Sequence, residues 1–394
     1  MIKHTALLCL FLFASGVCSI AQSSAEELRK ASGIIASVQK QFAPDARQNI
    51  FQIKAFNNNE GALTVKGTTS DSIAFNALKE QLSSAGIDYT DSIKLMPYDD
   101  WALVRLSVAS LRTKGAHSAE LSTQALMGTP LRVLQKGKEF WQVQAPDGYI
   151  AWIPSSSVVE KSTKDIQEWK NSKRFIMTSP FQTAAYRSFS ANGQRDIVTD
   201  LVRGCIVSIP GTLPSVENGR LEIELPDGRL AYVDTTVLTP IEEWASQNFD
   251  ADTILDAAYA IEGTPYLWGG MSTKALDCSG LAKTAYFANG IILMRDASQQ
   301  ALTGKRIEAK DWRLCRAGDL LFFGNAKTGK VTHVAIYDKD GNYVHSSGRV
   351  KRNSIDPDSE SYLSTPFLHA VRINGNEETK GITRARNHPW YFNK

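Results

Sequence analysis

The chain opens on a short apolar run. Lys3 precedes Thr5–Val17, which is almost wholly apolar, and small residues follow at Ser19 and Ala21. A basic start, an apolar stretch and a Ser-x-Ala pattern predict a signal peptide over residues 1–21, cut near Ala21–Gln22. The run falls short of the roughly 20 residues that a membrane span needs. The mature chain is therefore expected in the periplasm or secreted. A retained membrane anchor is one alternative. Lipidation at Cys18 is another, weakened by the poor fit of Ser15-Gly16-Val17 to that signal.

Helical and strand patterns then alternate. Over residues 25–41, Leu28, Ile34, Ile35 and Val38 fall on one helical face, and Pro44 closes the segment. Phe51–Phe56 and Ala62–Thr68 alternate as strands around a turn at Asn57–Gly61. Ser70–Ala85 predicts a helix capped by Ser70 or Asp71 and stopped by Gly86. Residues 22–99 thus read as a small N-terminal α+β domain, with no visible chemistry.

Short strands follow at Trp101–Val108, Pro130–Gln135, Phe140–Gln144 and Tyr149–Ile153, with turns at Gly137 and Pro146-Asp147-Gly148. The pattern recurs over 174–240. Pro146-Asp147-Gly148-Tyr149-Ile150-Ala151-Trp152-Ile153 aligns with Pro226-Asp227-Gly228-Arg229-Leu230-Ala231-Tyr232-Val233. Each copy is followed by an acidic residue and a tryptophan, Glu168-Trp169 and Glu243-Trp244. Two copies make an internal repeat too short for a solenoid. The stretches 100–165 and 170–245 have the size of small β-barrels. They resemble bacterial SH3-like domains, binding or spacer modules on cell-wall enzymes.

From Asp250 the texture changes. Asp252–Ile261 and Leu281–Ala288 are helical, and strand-like runs follow at 319–323, 331–338, 342–346 and 367–373. Helices followed by consecutive strands predict an α+β domain with an antiparallel sheet over 250–376. The tail, 377–394, is basic and aromatic and could pack on the core or bind a partner. The full length of 394 residues exceeds what one core usually supports, which fits this multidomain α+β division.

Composition narrows the classes. With 43% hydrophobic and 22% charged residues, the chain is neither largely disordered, nor a collagen, nor a disulfide scaffold. A net charge of +3, from 44 basic and 41 acidic residues, argues against a dedicated nucleic-acid binder. Of five cysteines, Cys9 and Cys18 lie in the signal segment, leaving Cys205, Cys278 and Cys315. That odd number cannot all pair within the chain. Cys205 and Cys315 read as structural.

Asp277-Cys278-Ser279-Gly280 sits where a Gly-rich loop enters a helix. A helix N-terminus favours thiolate, so Cys278 is expected to have a lowered pKa. His333 lies in a strand pattern, and His345 lies on the next strand, across a turn at Asp340-Gly341. Histidines on adjacent strands can be neighbours. The three supply a nucleophile, a base and a group that orients the base. By residue type alone, a buried structural cysteine and a zinc site both remain open. The close ligand spacing usual for zinc is missing.

Motif order carries a resemblance. The segments Pro265-Tyr266-Leu267-Trp268-Gly269-Gly270, Asp277-Cys278-Ser279-Gly280-Leu281, Arg295-Asp296-Ala297-Ser298-Gln299-Gln300, Ala317-Gly318-Asp319-Leu320-Leu321-Phe322-Phe323, Thr332-His333-Val334-Ala335-Ile336-Tyr337 and His345-Ser346-Ser347 strongly resemble the NlpC-type cell-wall cysteine peptidases. The resemblance implies a papain-like α+β domain that hydrolyses peptidoglycan peptides. It implies Cys278 as nucleophile, His333 as general base, His345 as the third, polar member, and Tyr266 as an oxyanion donor beside the Cys278 backbone N–H. No metal or other cofactor is expected; the charge balance argues against a nucleic-acid partner and the short apolar runs against a membrane span, while the oligomeric state stays open, with a monomer the expectation.

The order of two SH3-like domains and then the peptidase resembles one subgroup, the gamma-D-glutamyl-L-diamino-acid endopeptidases, or dipeptidyl-peptidase VI. These cut between D-Glu and the diamino acid in peptides with a free N-terminal L-Ala. In that subgroup the first SH3-like domain narrows the cleft and contributes to binding the amine. The resemblance implies substrate-binding roles for Glu120, Tyr149, Asp277, Ser279, Asp296 and Ser298. An ammonium entering a partly dry cleft needs a carboxylate, which Glu120 with Asp277 would supply. The expected activity is trimming or recycling of free muropeptides. The alternatives are an endopeptidase on intact or crosslinked wall, with the SH3-like domains as anchors, and a non-catalytic wall-binding protein. Diaminopimelate and lysine remain open as the diamino acid.

Overall fold

The computed structural model describes the backbone of residues 5–189 and 195–393, and the side chains of 24–188 and 196–393. The expected signal peptide, with Cys9 and Cys18, lies outside the described side chains. Among the described residues no helix is long and apolar enough to cross a membrane. The chain forms two compact units, Met1–Tyr98 and Asp99–Lys394.

In the first unit, a helix over Thr5–Phe42 buries Ala31, Ile35 and Val38 in one core with Leu78 and Leu82 of a second helix, Ser72–Ser84. Asp71 caps that second helix by accepting from the N–H groups of Ile73 and Ala74. These donors have no partner inside the helix, which is why an aspartate belongs there. Phe51–Asn57 and Leu63–Thr69 pair antiparallel. A third strand, Thr90–Leu95, pairs parallel with Leu63–Thr69 after the helical crossover. It escapes sequence patterning because nearly all its residues are exposed, so no apolar alternation marks it.

The second unit starts with a seven-stranded antiparallel sheet from Trp101 to Lys161 and an eight-stranded one from Arg174 to Pro240. The internal repeat is visible atom for atom. Gly148 and Gly228 have φ of 85° and 81°, and their N–H groups donate to Ala145 and Leu225 carbonyls at 2.8 Å in both copies. A strand follows each turn, Ile150–Pro154 and Leu230–Asp234. These are the two SH3-like sheets expected, and among the described residues no ladder joins the two edges of either one.

Trp169 and Trp244 of the two acid–tryptophan pairs are buried in one cluster with Ala385 and Tyr391 of the tail. Trp390 meets Trp101 edge-on at 5.1 Å, and Ile382–Arg384 pairs with Ile291–Leu293. The aromatic tail is thus part of the core.

The remaining elements build the site. Helices α1 (Ala251–Tyr259) and α2 (Cys278–Ala288) precede strands β1 (Lys305–Glu308), β2 (Leu320–Gly324), β3 (Val331–Tyr337), β4 (Asn342–Ser347), β5 (Arg349–Ser354) and β6 (Phe367–Arg372). The six strands form one antiparallel sheet in the order β1-β6-β2-β3-β4-β5. Alternate residues bury opposite faces, as a pleated strand requires. Leu320, Phe322, Val334 and Ile336 pack with Leu281, Ala285 and Tyr286 of α2. Leu321, Phe323, Ala335 and Tyr343 pack with Ile307 and Cys315.

Candidate active site

A glycine-rich loop leads into α2, and the first SH3-like sheet presses against it. Gly269 has φ of +78°, and a Cβ there would lie 2.6 Å from the Leu121 carbonyl oxygen. Glycine satisfies both the backbone angle and the approach. Asp277 caps α2: its carboxylate accepts from Gly280 N–H at 2.7 Å and from Gly269 N–H at 2.9 Å. Arg295 donates to the same carboxylate through Nη2 at 2.7 Å, and to Ser279 Oγ at 2.9 Å. Its Nε reaches Thr123 Oγ1 in the first SH3-like sheet at 2.8 Å. Arg295 is only 1% exposed, and Asp277 and Ser279 are buried beside it.

Cys278 is buried at the start of α2. The backbone N–H groups of Ser279 and of Val334, which follows His333 on β3, pull the thiol's pKa down. His333 Nε2 lies 2.8 Å from His345 Nδ1 on β4, and His345 Nε2 lies 2.9 Å from Asn353 Oδ1 on β5. Burial, with the Asp277 carboxylate adding to it, pushes the Cys278 thiol up to about 11. Burial pulls both histidines down to about 4. Desolvation thus opposes the thiolate that the helix terminus favours, and it favours the neutral form of both imidazoles. The Tyr266 hydroxyl is half-buried and pushed up to about 12, first by burial and then by Cys278, so it stays a proton donor.

A stability signature follows from the histidines. Their native values near 4 lie below the ordinary 6.5, so on acidification the unfolded chain takes up protons first. The stability tied to this pair is complete above 6.5 and is lost as pH falls from there to about 4. Unfolding midpoints measured across that window should decline, and the decline should shrink in His345→Gln. A midpoint that stays level through the window contradicts the burial of two neutral imidazoles.

The first SH3-like sheet contributes an edge. Glu120 is exposed, and its Oε1 accepts from Trp268 Nε1 at 2.8 Å. Gln124 Oε1 accepts from Met271 N–H at 2.9 Å. Asp147 pairs with Lys283 of α2 at 2.8 Å, both side chains nearly buried. Tyr149 is buried in the core of the same sheet. The Asp296 N–H donates to Gln299 Oε1 at 3.1 Å, and Ser298 is exposed. Glu120 and Asp277 thus bond adjacent residues of one loop, Trp268 and Gly269, Glu120 at the exposed rim and Asp277 in the buried base.

Four contributors escaped sequence reasoning: Trp268, Thr123, Arg295 and Asn353. Arg295 opens a segment that the motifs contain, but its partners lie far off along the chain. Asn353 lies in Arg349-Val350-Lys351-Arg352-Asn353-Ser354, which reads as a polar edge strand. Cys205 and Cys315 are buried thiols pushed up to about 12, and neither forms a disulfide. Among the described residues no group of three or more His, Cys, Asp or Glu side chains could hold a metal ion.

A thiol at a helix start, a two-histidine chain on neighbouring strands and a glycine loop against an SH3-like sheet define a class of peptidase. Residues 263–372 match the model of the NlpC/P60 family, and residues 111–158 match that of the bacterial dipeptidyl-peptidase Sh3 domain. The chain is 30% identical over 237 residues to a gamma-D-glutamyl-L-lysine dipeptidyl-peptidase of Bacillus subtilis, covering 57% of this chain and 72% of that one. A protein of the same name from Bacillus cereus is 27% identical over 287 residues, covering 68% and 79%. The chain belongs to the NlpC/P60 family of peptidases. The crystal structure of an NlpC/P60 family protein from Bacillus cereus shares the fold, with a TM-score of 0.59 at 22% identity over 70% of this chain and 99% of that one.

Proposed function

We propose that this chain is an exported cysteine peptidase that cuts the bond between γ-D-Glu and a diamino acid in peptidoglycan peptides bearing a free N-terminal L-Ala. Cys278 attacks the amide carbonyl while His333 takes the thiol proton. Tyr266 and the Cys278 backbone N–H donate to the tetrahedral oxyanion, on the order of 3 kcal/mol for each donor. His333 then protonates the leaving amine, and water hydrolyses the thioester.

Glu120 accepts the substrate ammonium, with Tyr149, Asp277, Ser279, Asp296 and Ser298 shaping its surroundings. The observation that carries this reading is the 2.8 Å bond from Trp268 to Glu120, which fixes a carboxylate of the SH3-like sheet on the loop leading into Cys278. On an intact glycan strand the alanine amine is acylated and uncharged, so Glu120 has no ion to pair with.

The test compares L-Ala-γ-D-Glu-diaminopimelate, its lysine counterpart, their N-acetylated forms and intact sacculi. A charged hydrogen bond contributes about 1.5–3 kcal/mol, so acetylation should lower kcat/KM by roughly tenfold or more. Glu120→Gln should lose a similar factor on the free amine and nothing on the acetylated peptide. Equal rates on free and acetylated peptides would remove amine recognition, and faster cleavage of sacculi would favour a wall-degrading enzyme.

A further inference from the structure

The hydrogen-bond chain behind Cys278 does not stop at the second histidine. It crosses β3, β4 and β5, from His333 to His345 at 2.8 Å and from His345 to Asn353 at 2.9 Å. Its last link fixes the direction. Asn353 Nδ2 donates to the Ser361 carbonyl at 3.0 Å, which turns Oδ1 toward His345. Oδ1 can only accept, so His345 carries its proton on Nε2 and offers a lone pair at Nδ1. His333 must then donate from Nε2. Its other nitrogen, Nδ1, is left unprotonated as the base.

A histidine in the third position could not make this choice alone. A carboxylate only accepts and would impose one tautomer on its neighbour. A neutral imidazole can instead carry its proton on Nδ1 and face the lone pair of His333 Nε2. His333 would then hold its proton on Nδ1 and have no base to offer. We propose that Asn353, oriented by the Ser361 carbonyl, is a positioning residue that sets the tautomers of both histidines and so keeps His333 competent as a base. This rests on the reading of Cys278 and His333 as nucleophile and base.

Two variants separate this role from simple tethering. Asn353→Leu and Asn353→Asp both lose the bond to Ser361, but only the carboxylate introduced by the second would still accept from His345. Asn353→Leu should lower kcat about tenfold or more with KM within about twofold, by analogy with the cost of losing a partner that orients a metal-bound imidazole. Asn353→Asp should recover most of the lost kcat. Nitrogen-15 spectra of the imidazoles should show His333 protonated on Nε2 in the wild-type protein and in Asn353→Asp, and a shift toward Nδ1 in Asn353→Leu. Wild-type kcat in Asn353→Leu, equal loss in both variants, or wild-type His333 protonated on Nδ1 would each overturn the proposal. The wild-type spectrum decides even if the leucine variant does not fold. Hydrolysis by Cys278→Ala would instead overturn the underlying reading, which the spectra do not touch.

Discussion

Cys278→Ala leaves a folded protein that no longer hydrolyses L-Ala-γ-D-Glu-diaminopimelate. The sulfur sits in the core shared by α2 and the sheet, where Leu281, Val334 and Leu276 also pack. Losing one buried atom there costs about 1 kcal/mol, too little to unfold the chain. Losing the covalent nucleophile removes the thioester route altogether, and such losses reach about 10⁴–10⁶ in kcat. Cys205→Ala and Cys315→Ala should keep the activity, since both thiols are buried away from the loop and held protonated. Steady-state rates of the three variants, with thermal unfolding as a control, check this. Residual turnover in Cys278→Ala within a factor of about 10 of wild type would end the nucleophile assignment.

Arg295→Leu is expected to be the most destabilising single change around the site. The guanidinium is buried and bonds Asp277, Ser279 and Thr123 together. Removing it leaves the Asp277 carboxylate buried with backbone N–H donors but no counter-charge. Breaking a buried ion pair from one side costs about 3–5 kcal/mol. For a unit of this size, that lowers the unfolding midpoint by roughly 10 °C. The double variant Asp277→Asn with Arg295→Leu should recover part of the loss, because no isolated charge remains. A single-variant cost under about 1 kcal/mol would mean that water reaches Asp277 and that the base of the loop is wet.

Features with local causes were legible in the sequence. Asp71 was a candidate cap because helix starts leave donors that only nearby side chains reach. The repeated Pro-Asp-Gly turns announced two similar sheets, and strand alternation put His333 and His345 on neighbouring strands. Features set by distant partners were not legible. Arg295 owes its burial to Thr123 and Asp277, which folding brings to it from far apart along the chain. Thr90–Leu95 is a strand only because Leu63–Thr69 offers an edge. Asn353 matters because Ser361 turns its amide. The upward push on the Cys278 thiol has the same cause: the helix start is local, whereas the desolvation that opposes it comes from the whole assembled core.

The contacts between the first SH3-like sheet and α2 bear on how such proteins can be recombined. Asp147 holds Lys283, Thr123 holds Arg295, and Gln124 holds the Met271 N–H. A peptidase segment transplanted without that sheet would carry a lysine, an arginine and an amide whose partners had stayed behind. A gene fusion with its joint at Asp250 would therefore part the loop before α2 from the sheet that satisfies its buried polar groups.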